Sequence, residues 1–336
     1  MKNNKIAFII PYFGTLPDYF SEWMYSLSFL EDSVDFLLMT DDVDNRFLVL
    51  PPSNLKVMKM SFDDFRQIVQ SRFDFEIKLP FPYKICDYRP AYGYIFEDIL
   101  KDYDFWGNCD IDQIWGNVDD FITPQILSEY DKILHLGHFT LYKNSDKMKT
   151  MFMKNGSYAS YKEIYTSDTL YAFDEVAGIV PICKKYGVKV YFNRIYADLD
   201  VKYNRIKLRN LPNYQKQIVY WKNGSILRSY INDDGNVVTE NYMYAHFQKK
   251  YPLSLDSHLS KPSAFIINSK RFIDISNEEI TAEMIEKYSD FIDEKTDEND
   301  KRTYLKKKCV AFLETSMKRK LIWIRKKLKS EKIYKS

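Results

Sequence analysis

The first third of the chain alternates continuous apolar runs with segments of helical spacing. Apolar runs occupy much of residues 5–14, 34–42, 54–60 and 105–112, each of strand length. Over 18–30, apolar positions recur every three or four residues, as in an amphipathic helix. Strands that are apolar throughout are typical of a parallel sheet covered on both faces. The pattern therefore predicts an α/β domain with a Rossmann-like, mostly parallel sheet flanked by helices.

The same reasoning extends to the rest of the chain. Two further helices are predicted at 61–73, with Ser61 as N-cap, and at 92–103. A strand pair is predicted at 133–144, and "KVYFNRIYADLD", 189–200, is interpreted as one strand. Two turn signals, "KNGS" and "NDDGN", predict β-hairpins over 216–248.

The distribution of charge suggests a division of the chain near residue 272. The net charge is only +2, but residues 274–300 are strongly acidic and residues 317–336 strongly basic. The sequence from about residue 275 onward has a helical pattern. We therefore predict a catalytic domain over 1–272 and a helical C-terminal extension over 273–336.

The basic end of the extension embeds apolar residues and Trp323 among nine Lys and Arg between 318 and 335. On a helix, this pattern favours contact with an anionic membrane surface. The alternative is a solvated basic helix that docks on the acidic 274–300 segment. No base-stacking motif accompanies the charge, so a nucleic-acid partner is not expected.

The predicted location is the cytoplasm, at the inner face of the cell membrane. The four cysteines are scattered without metal-binding or disulfide spacing, which favours a reducing compartment. The N-terminal apolar run is too short for a signal peptide, and no stretch has the length of a membrane span.

Polar or otherwise distinctive residues follow three of the predicted strands. In open α/β sheets, ligands bind outside the carboxyl ends of the strands, so these residues are the first candidates for a site. They are Pro11, Tyr12 and Phe13 after the first strand, Asp41 and Asp42 after the second, and Asp110 and Asp112 after the fourth.

The aspartates of "FWGNCDIDQIWGN" point to a metal. Residues i and i+2 of a strand face the same side, so Asp110 and Asp112 converge on one point. Two carboxylates this close repel each other unless they share a proton or a cation. Mg²⁺ or Mn²⁺ resolves the repulsion and leaves coordination positions for a substrate's phosphates. A solvated acidic turn is the alternative.

These motifs together resemble the GT-A fold of nucleotide-sugar-dependent glycosyltransferases. The stretch 84–121, "KICDYRPAYGYIFEDILKDYDFWGNCDIDQIWGNVDDFI", is similar to bacterial transferases of capsular and lipopolysaccharide biosynthesis. The order of motifs over about 5–255 also resembles retaining galactosyl- and glucosyltransferases. The resemblance implies a UDP-hexose donor and a carbohydrate or lipid-linked acceptor.

The resemblance also implies roles for particular residues. Asp110 and Asp112 match the D-x-D that holds the metal on the donor diphosphate. The strand end that lines the uracil pocket is matched by Pro11, Tyr12 and Phe13. An acid near uracil or ribose is matched by Asp41 or Asp42. His246 matches a late metal-binding histidine, and Lys249 or Lys250 a phosphate-binding lysine. The glycine that ends this motif in the relatives is absent here, which leaves the acting lysine open.

"KICDYRPAYG" offers three more candidates for the donor site. Asp87 could accept hydrogen bonds from sugar hydroxyls, Arg89 could grip phosphate or clamp a carboxylate, and Lys84 lies beside them. The alternative is an Asp87–Arg89 pair that orders the loop before Pro90.

The acceptor side is expected in later segments. The strand after the D-x-D forms that side in GT-A relatives, so His138 is a candidate for sugar hydrogen bonding. Relatives also keep an acidic or amide residue near the position of Asp174 and Glu175. It would be the general base of an inverting enzyme, or would stabilise positive charge on the sugar in a retaining one. Ordinary helix capping is the alternative.

The sequence thus predicts a metal-dependent glycosyltransferase that uses Mn²⁺ or Mg²⁺ and a UDP-sugar, with retention of configuration favoured by His246 and Lys249. A sugar nucleotidyltransferase is one alternative, although "PYFGTLPDY" supplies no glycine-rich phosphate loop. A non-catalytic carbohydrate-binding protein is the other.

Overall fold

The structure is a computed structural model of the chain. It describes residues 4–30, 34–42, 50–200, 202–203, 205–248, 254–255, 262–268, 271–289, 294–313, 321–322 and 324–328.

A seven-stranded, mostly parallel sheet forms the centre of the molecule. Its spatial order is β3-β2-β1-β4-β7-β6-β8, and only β7 runs antiparallel to both of its neighbours. The strands are β1 Ile6–Pro11, β2 Val34–Thr40, β3 Leu55–Lys59, β4 Phe105–Cys109, β6 Lys132–Leu136, β7 Phe139–Lys143 and β8 Val190–Tyr191. The predicted α/β class with a mostly parallel sheet flanked by helices is confirmed.

Each face of the central sheet packs into its own core. Along β1, Ile6, Phe8 and Ile10 enter one core, and Ala7 and Ile9 enter the other. This alternation is the reason that the strand is apolar at every position, because neither face meets water.

Helices cover both faces of the sheet. They are α1 Phe20–Leu27, α2 Phe62–Ser71, α3 Tyr92–Ile95, α4 Glu97–Leu100, α5 Pro124–Glu129, α6 Asp146–Lys149, α7 Tyr161–Tyr165 and α8 Ile179–Lys185. Two 3₁₀ segments lie at Pro82–Ala91 and Met151–Met153. Ser61 caps α2 as predicted, in a capping box with Asp64.

The single helix predicted at 92–103 is instead two short helices, α3 and α4. They meet at Phe96, whose dihedral angles leave the helical region and whose ring packs in the core against Phe65. The α3 helix lies very close to β4, so that a Cβ on Gly93 would lie only 2.3 Å from the Trp106 ring. Only glycine therefore allows this packing.

Two smaller sheets complete the fold. One has the order β5-β13-β9, with β5 Gln113–Trp115, β9 Ala197–Asp198 and β13 Tyr244–His246. The other has the order β12-β11-β10-β15-β16-β14, with β10 Gln217–Lys222, β11 Ser225–Ile231, β12 Val237–Tyr242, β14 Ser254–Leu255, β15 Ala264–Ile267 and β16 Arg271–Asp274. Both predicted hairpins are present, as β10–β11 and β11–β12.

The prediction of one strand over 189–200 is wrong. Residues 190–191 pair with β6 in the central sheet, whereas residues 197–198 pair with β13 in the three-stranded sheet. The chain crosses between two sheets here, so the apolar run belongs to two different packing environments.

The predicted domain boundary at residue 272 falls inside β16. Beyond it, helix α9, Ala282–Tyr288, packs Met284 and Ile285 against Ile218 and Tyr220 of β10. The acidic part of the extension is therefore built onto the six-stranded sheet.

Helix α10, Glu294–Leu313, follows, and residues 321–322 and 324–328 are also helical. The buried Asp297 of α10 pairs with Arg205 at 2.5 Å and with Lys207 at 2.5 Å. Among the helices that the structure describes, none combines the length and the apolar character needed to cross a bilayer.

Candidate functional site

A cavity of about 620 Å³ opens at the carboxyl ends of β1 and β4. The predicted residues that line it come from six segments of the chain. They are Pro11, Tyr12, Phe13, Arg89, Asp110, Asp112, His138, Asp174, Glu175 and His246.

Asp110 and Asp112 lie in the connection between β4 and β5 rather than on a strand. The β4 strand ends at Cys109, and β5 begins at Gln113. Ile111 is buried in the core between them, so the two aspartates extend away from it into the cavity. The predicted convergence holds, although strand alternation is not its cause.

His246 joins the two aspartates through strand pairing. It ends β13, where its cross-strand partner is Gln113 of β5, the residue after Asp112. One ligand atom from each of Asp110, Asp112 and His246 can be chosen so that all three lie within 4.8 Å of one another.

This set of side chains suits a divalent cation. Carboxylate oxygens with one imidazole nitrogen are ligands that Mn²⁺ accepts readily. Among the described residues, none makes a hydrogen bond to the buried Oδ1 of Asp112, and Nε2 of His246 lies 3.6 Å away, too far for one. A cation held by this set would give the buried carboxylate oxygen a partner.

Asp198 orients His246 from the other side of its ring. Oδ1 of Asp198 lies 2.9 Å from Nδ1 of His246 and also accepts a hydrogen bond from Gln248 at 2.6 Å. Burial opposes a charge on His246, but Asp112 and Asp198 outweigh it and raise the pKa of His246 to about 10. Burial likewise favours a neutral Asp198, yet its bond with His246 lowers the pKa of Asp198 to about 2.

His138 stacks on His246, with ring centroids 4.1 Å apart. Burial, helped by the neighbouring His246, lowers the pKa of His138 well below its usual value, so this imidazole is neutral. Within the described part of the chain, its Nε2 has no hydrogen-bond partner. His138 is among the residues that line the cavity, although this nitrogen is itself buried.

Arg89 bridges the two sides of the cavity. One guanidinium nitrogen lies 2.5 Å from Asp110, and the other lies 3.0 Å from Asp174 and 2.6 Å from the carbonyl of Gly137. The predicted alternative, an Asp87–Arg89 pair, is wrong because Arg89 is committed to Asp110 and Asp174. The predicted contact of Arg89 with carboxylates is present in the structure.

Asp174 and Glu175 also line the cavity. Burial raises the pKa of Asp174 to about 7, although the charge of Arg89 acts in the other direction. The capping alternative is wrong for this pair, because Gly178 is the N-cap of α8 and no side chain caps it. A Cβ on Gly137 would lie 2.8 Å from Oδ2 of Asp174, so glycine is needed at that position.

The structure does not bring Lys84 and Asp87 into the cavity. Both side chains are fully buried, with Lys84 Nζ 2.7 Å from Asp87. Lys84 also donates to the carbonyls of Ile164 and Thr169, and Asp87 accepts from the backbone of Tyr171 and Phe173. The predicted direct contact with a donor is therefore wrong in this structure; the pair fixes the segment before Asp174.

Asp41 and Asp42 act on the loop that follows β1. Asp41 accepts a hydrogen bond from the backbone N–H of Gly14 at 2.8 Å, and Asp42 from Leu16 at 2.7 Å. Their described contacts therefore hold the chain just after Pro11–Phe13 rather than the cavity itself. Lys249 and Lys250 lie outside the described residues.

Among the other lining residues, three polar ones near His246 were not indicated by the sequence patterns. They are Asp198, Arg209 and Gln248, grouped around the side of His246 that faces away from Asp112. Trp106 and Trp115, which flank the two aspartates in the sequence, are fully buried in the two cores.

Fold and site together define a mixed α/β protein with a candidate metal centre in a polar cavity at the sheet's edge. A family profile described as "Family of unknown function (DUF6625)" matches residues 8–276. The chain belongs to this family. No curated protein matches it significantly.

Proposed function

We propose that the protein is a metal-dependent glycosyltransferase of the GT-A type that takes a nucleotide sugar, with UDP-hexose as the expected donor. The observation that carries the proposal is the meeting of Asp110, Asp112 and His246 in one cavity wall at the carboxyl edge of a parallel sheet. The cavity has the volume of a site for a ligand of this size.

The metal, Mn²⁺ or Mg²⁺, would be held by Asp110, Asp112 and His246. When bound, such an ion neutralises a donor diphosphate and stabilises its departure. Asp198 keeps the His246 ring aimed at the centre. Pro11, Tyr12 and Phe13 supply an apolar wall that suits a nucleobase.

The part of the cavity lined by His138 and Asp174 suits the sugar and the acceptor. The His138 ring is neutral, and Asp174 offers a carboxyl group with a pKa near 7. In a retaining reaction, the ionised carboxylate would stabilise positive charge on the sugar; in an inverting one, it would accept the acceptor's proton. Retention remains the favoured course, because His246 stands where retaining relatives place a histidine.

The acceptor is proposed to be a carbohydrate, free or lipid-linked, in surface polysaccharide synthesis at the inner face of the cell membrane. Residues 1–272 would carry the catalysis. A sugar nucleotidyltransferase would instead release pyrophosphate, and a carbohydrate-binding protein would release neither product, so the product distinguishes the three.

The test is a donor screen that measures release of UDP or GDP from nucleotide sugars with Mn²⁺, with Mg²⁺ and with neither. We expect metal-dependent UDP release that falls at least about 100-fold in Asp110→Asn and Asp112→Asn. The matched control is Asp119→Asn with Asp120→Asn, since both acids are exposed and lie just beyond β5. Unchanged turnover and metal-dependent UDP binding in the first two variants would refute the proposal.

A further inference from the structure

The helical residues 321–322 and 324–328 pack one of their faces against the body of the protein. Ile322 is buried and belongs to the core that also contains Tyr171 and Phe173. Four residues later, Lys326 lies 3.1 Å from Glu175 at the cavity wall. Positions i and i+4 share a helix face, so this face is the docked one.

The opposite face is apolar and exposed. Leu321, Ile324 and Leu328 are spaced three and four residues apart and are 53%, 44% and 57% exposed. Large apolar side chains with this exposure are otherwise scattered over the described surface, whereas here three share one stripe. The exposed Arg325 and Lys327 flank the stripe on its two sides.

Charge identifies the partner of this stripe. Nine Lys and Arg lie between residues 318 and 335, against the single acid Glu331. Lys326 of the segment pairs with Glu175 of the cavity wall. An apolar stripe with cationic flanks is the pattern of a helix that lies in the headgroup region of an anionic bilayer.

We propose that residues 321–328 form a bilayer-binding surface at the rim of the cavity, which sets the cavity mouth against an anionic membrane. Ile322 and Lys326 hold the segment on the protein, while Leu321, Ile324 and Leu328 enter the headgroup region. This deepens the proposed function and rests on it for the acceptor: a sugar carried on a lipid anchor would reach Asp174 and Glu175 directly from the membrane.

Vesicle flotation of the full chain tests the surface without any catalysis. We expect the protein to float with vesicles of equal phosphatidylglycerol and phosphatidylcholine, not with phosphatidylcholine alone, and to be released by about 0.5 M NaCl. Combined Leu321→Ser, Ile324→Ser and Leu328→Ser should weaken binding at least about tenfold. The matched control is Ile99→Ser, Val237→Ser and Leu305→Ser, exposed apolar residues elsewhere, and should bind as the wild type.

The orientation needs its own measurement. A benzophenone amino acid at Tyr83, an exposed residue of the cavity rim, should crosslink to phosphatidylglycerol. The same group at Lys101, at the opposite edge of the sheet, should not. Equal flotation of the triple variant, or equal crosslinking at the two positions, would overturn the inference. Both measurements are independent of donor turnover, so failure of the proposed reaction would be seen separately.

Discussion

His246 Nδ1 and Asp198 Oδ1 lie 2.9 Å apart, as direct partners across the parallel strands β13 and β9. The other ring nitrogen of His246 is thereby left for the side of Asp110 and Asp112. A carboxylate behind a metal-binding imidazole fixes the ring and makes it a stronger ligand.

We therefore expect Asp198→Asn to weaken Mn²⁺ binding about 10- to 100-fold, because the ring loses the charge that orients it. Electron paramagnetic resonance of free Mn²⁺ measures this without a substrate. Asp200→Asn is the matched control, since Asp200 is equally buried, lies two residues away, and makes its closest ion pair with Lys202 rather than with His246. Equal affinities in the two variants would contradict the role of Asp198.

Arg89→Gln should destabilise the protein by about 3 kcal/mol, because it leaves Asp110 and the buried Asp174 without their shared cation. Urea unfolding at neutral pH measures the loss. Arg89→Lys should recover only part of it, since an ammonium group lacks the fork that spans two carboxylates. A variant within about 0.5 kcal/mol of the wild type would show that the bridge contributes no stability.

Lys84→Met should cost about 3–5 kcal/mol of unfolding free energy, because it strands the buried Asp87 carboxylate. Adding Asp87→Leu removes the stranded charge but leaves the backbone N–H groups of Tyr171 and Phe173 without their acceptor, so it should restore only part of this loss. UDP affinity of the folded fraction should be unchanged in both variants, as followed by calorimetry. Normal stability with lost UDP binding would instead support a direct contact between Lys84 and the nucleotide-sugar donor.

Asp174 should make the stability depend on pH. Its pKa is raised from 3.8 to about 7, so the native state holds a proton that the unfolded state releases between these values. The stabilisation is complete below about pH 4 and is lost as pH rises through about 7. Asp174→Asn should therefore gain stability relative to the wild type as pH rises from about 4 to about 7, by up to about 1.4 kcal/mol per pH unit.

Urea unfolding at three pH values measures this difference, with the exposed Asp119→Asn as control. The gap between Asp119→Asn and the wild type should stay constant over the same range. A constant gap for Asp174→Asn as well would show that the carboxyl group is ionised in the native protein throughout.

The strands and the ends that carry the site were predictable because their signals are local. A strand covered on both faces is apolar at each position, as β1 is, and the residues that follow it meet at one edge of the sheet. The positions of Asp110, Asp112 and the residues 11–13 followed from this rule alone. His246 needed the resemblance, since nothing in its own segment distinguishes it.

Asp198 could not be predicted, because it reaches His246 through a pairing of two very short strands, 48 positions apart in sequence. No periodic pattern marks strands of that length. The prediction for Lys84 and Asp87 was wrong for another reason. The two residues are three positions apart, which is also the spacing of an ordinary surface pair, and only tertiary packing shows that both are buried. Burial of ionic pairs depends on elements distant in sequence, here residues 164–173.

The ligand set joins two parts of the chain, since Asp110 and Asp112 precede β5 whereas His246 ends β13. A cation bound there would act as a crosslink that exists only in the native state. Its binding would add about 2.7 kcal/mol to the unfolding free energy at 100 times its dissociation constant. The melting temperature would rise with the logarithm of the cation concentration. Thermal shifts across a series of divalent salts would thus rank the preferred ion for this family before any substrate is known.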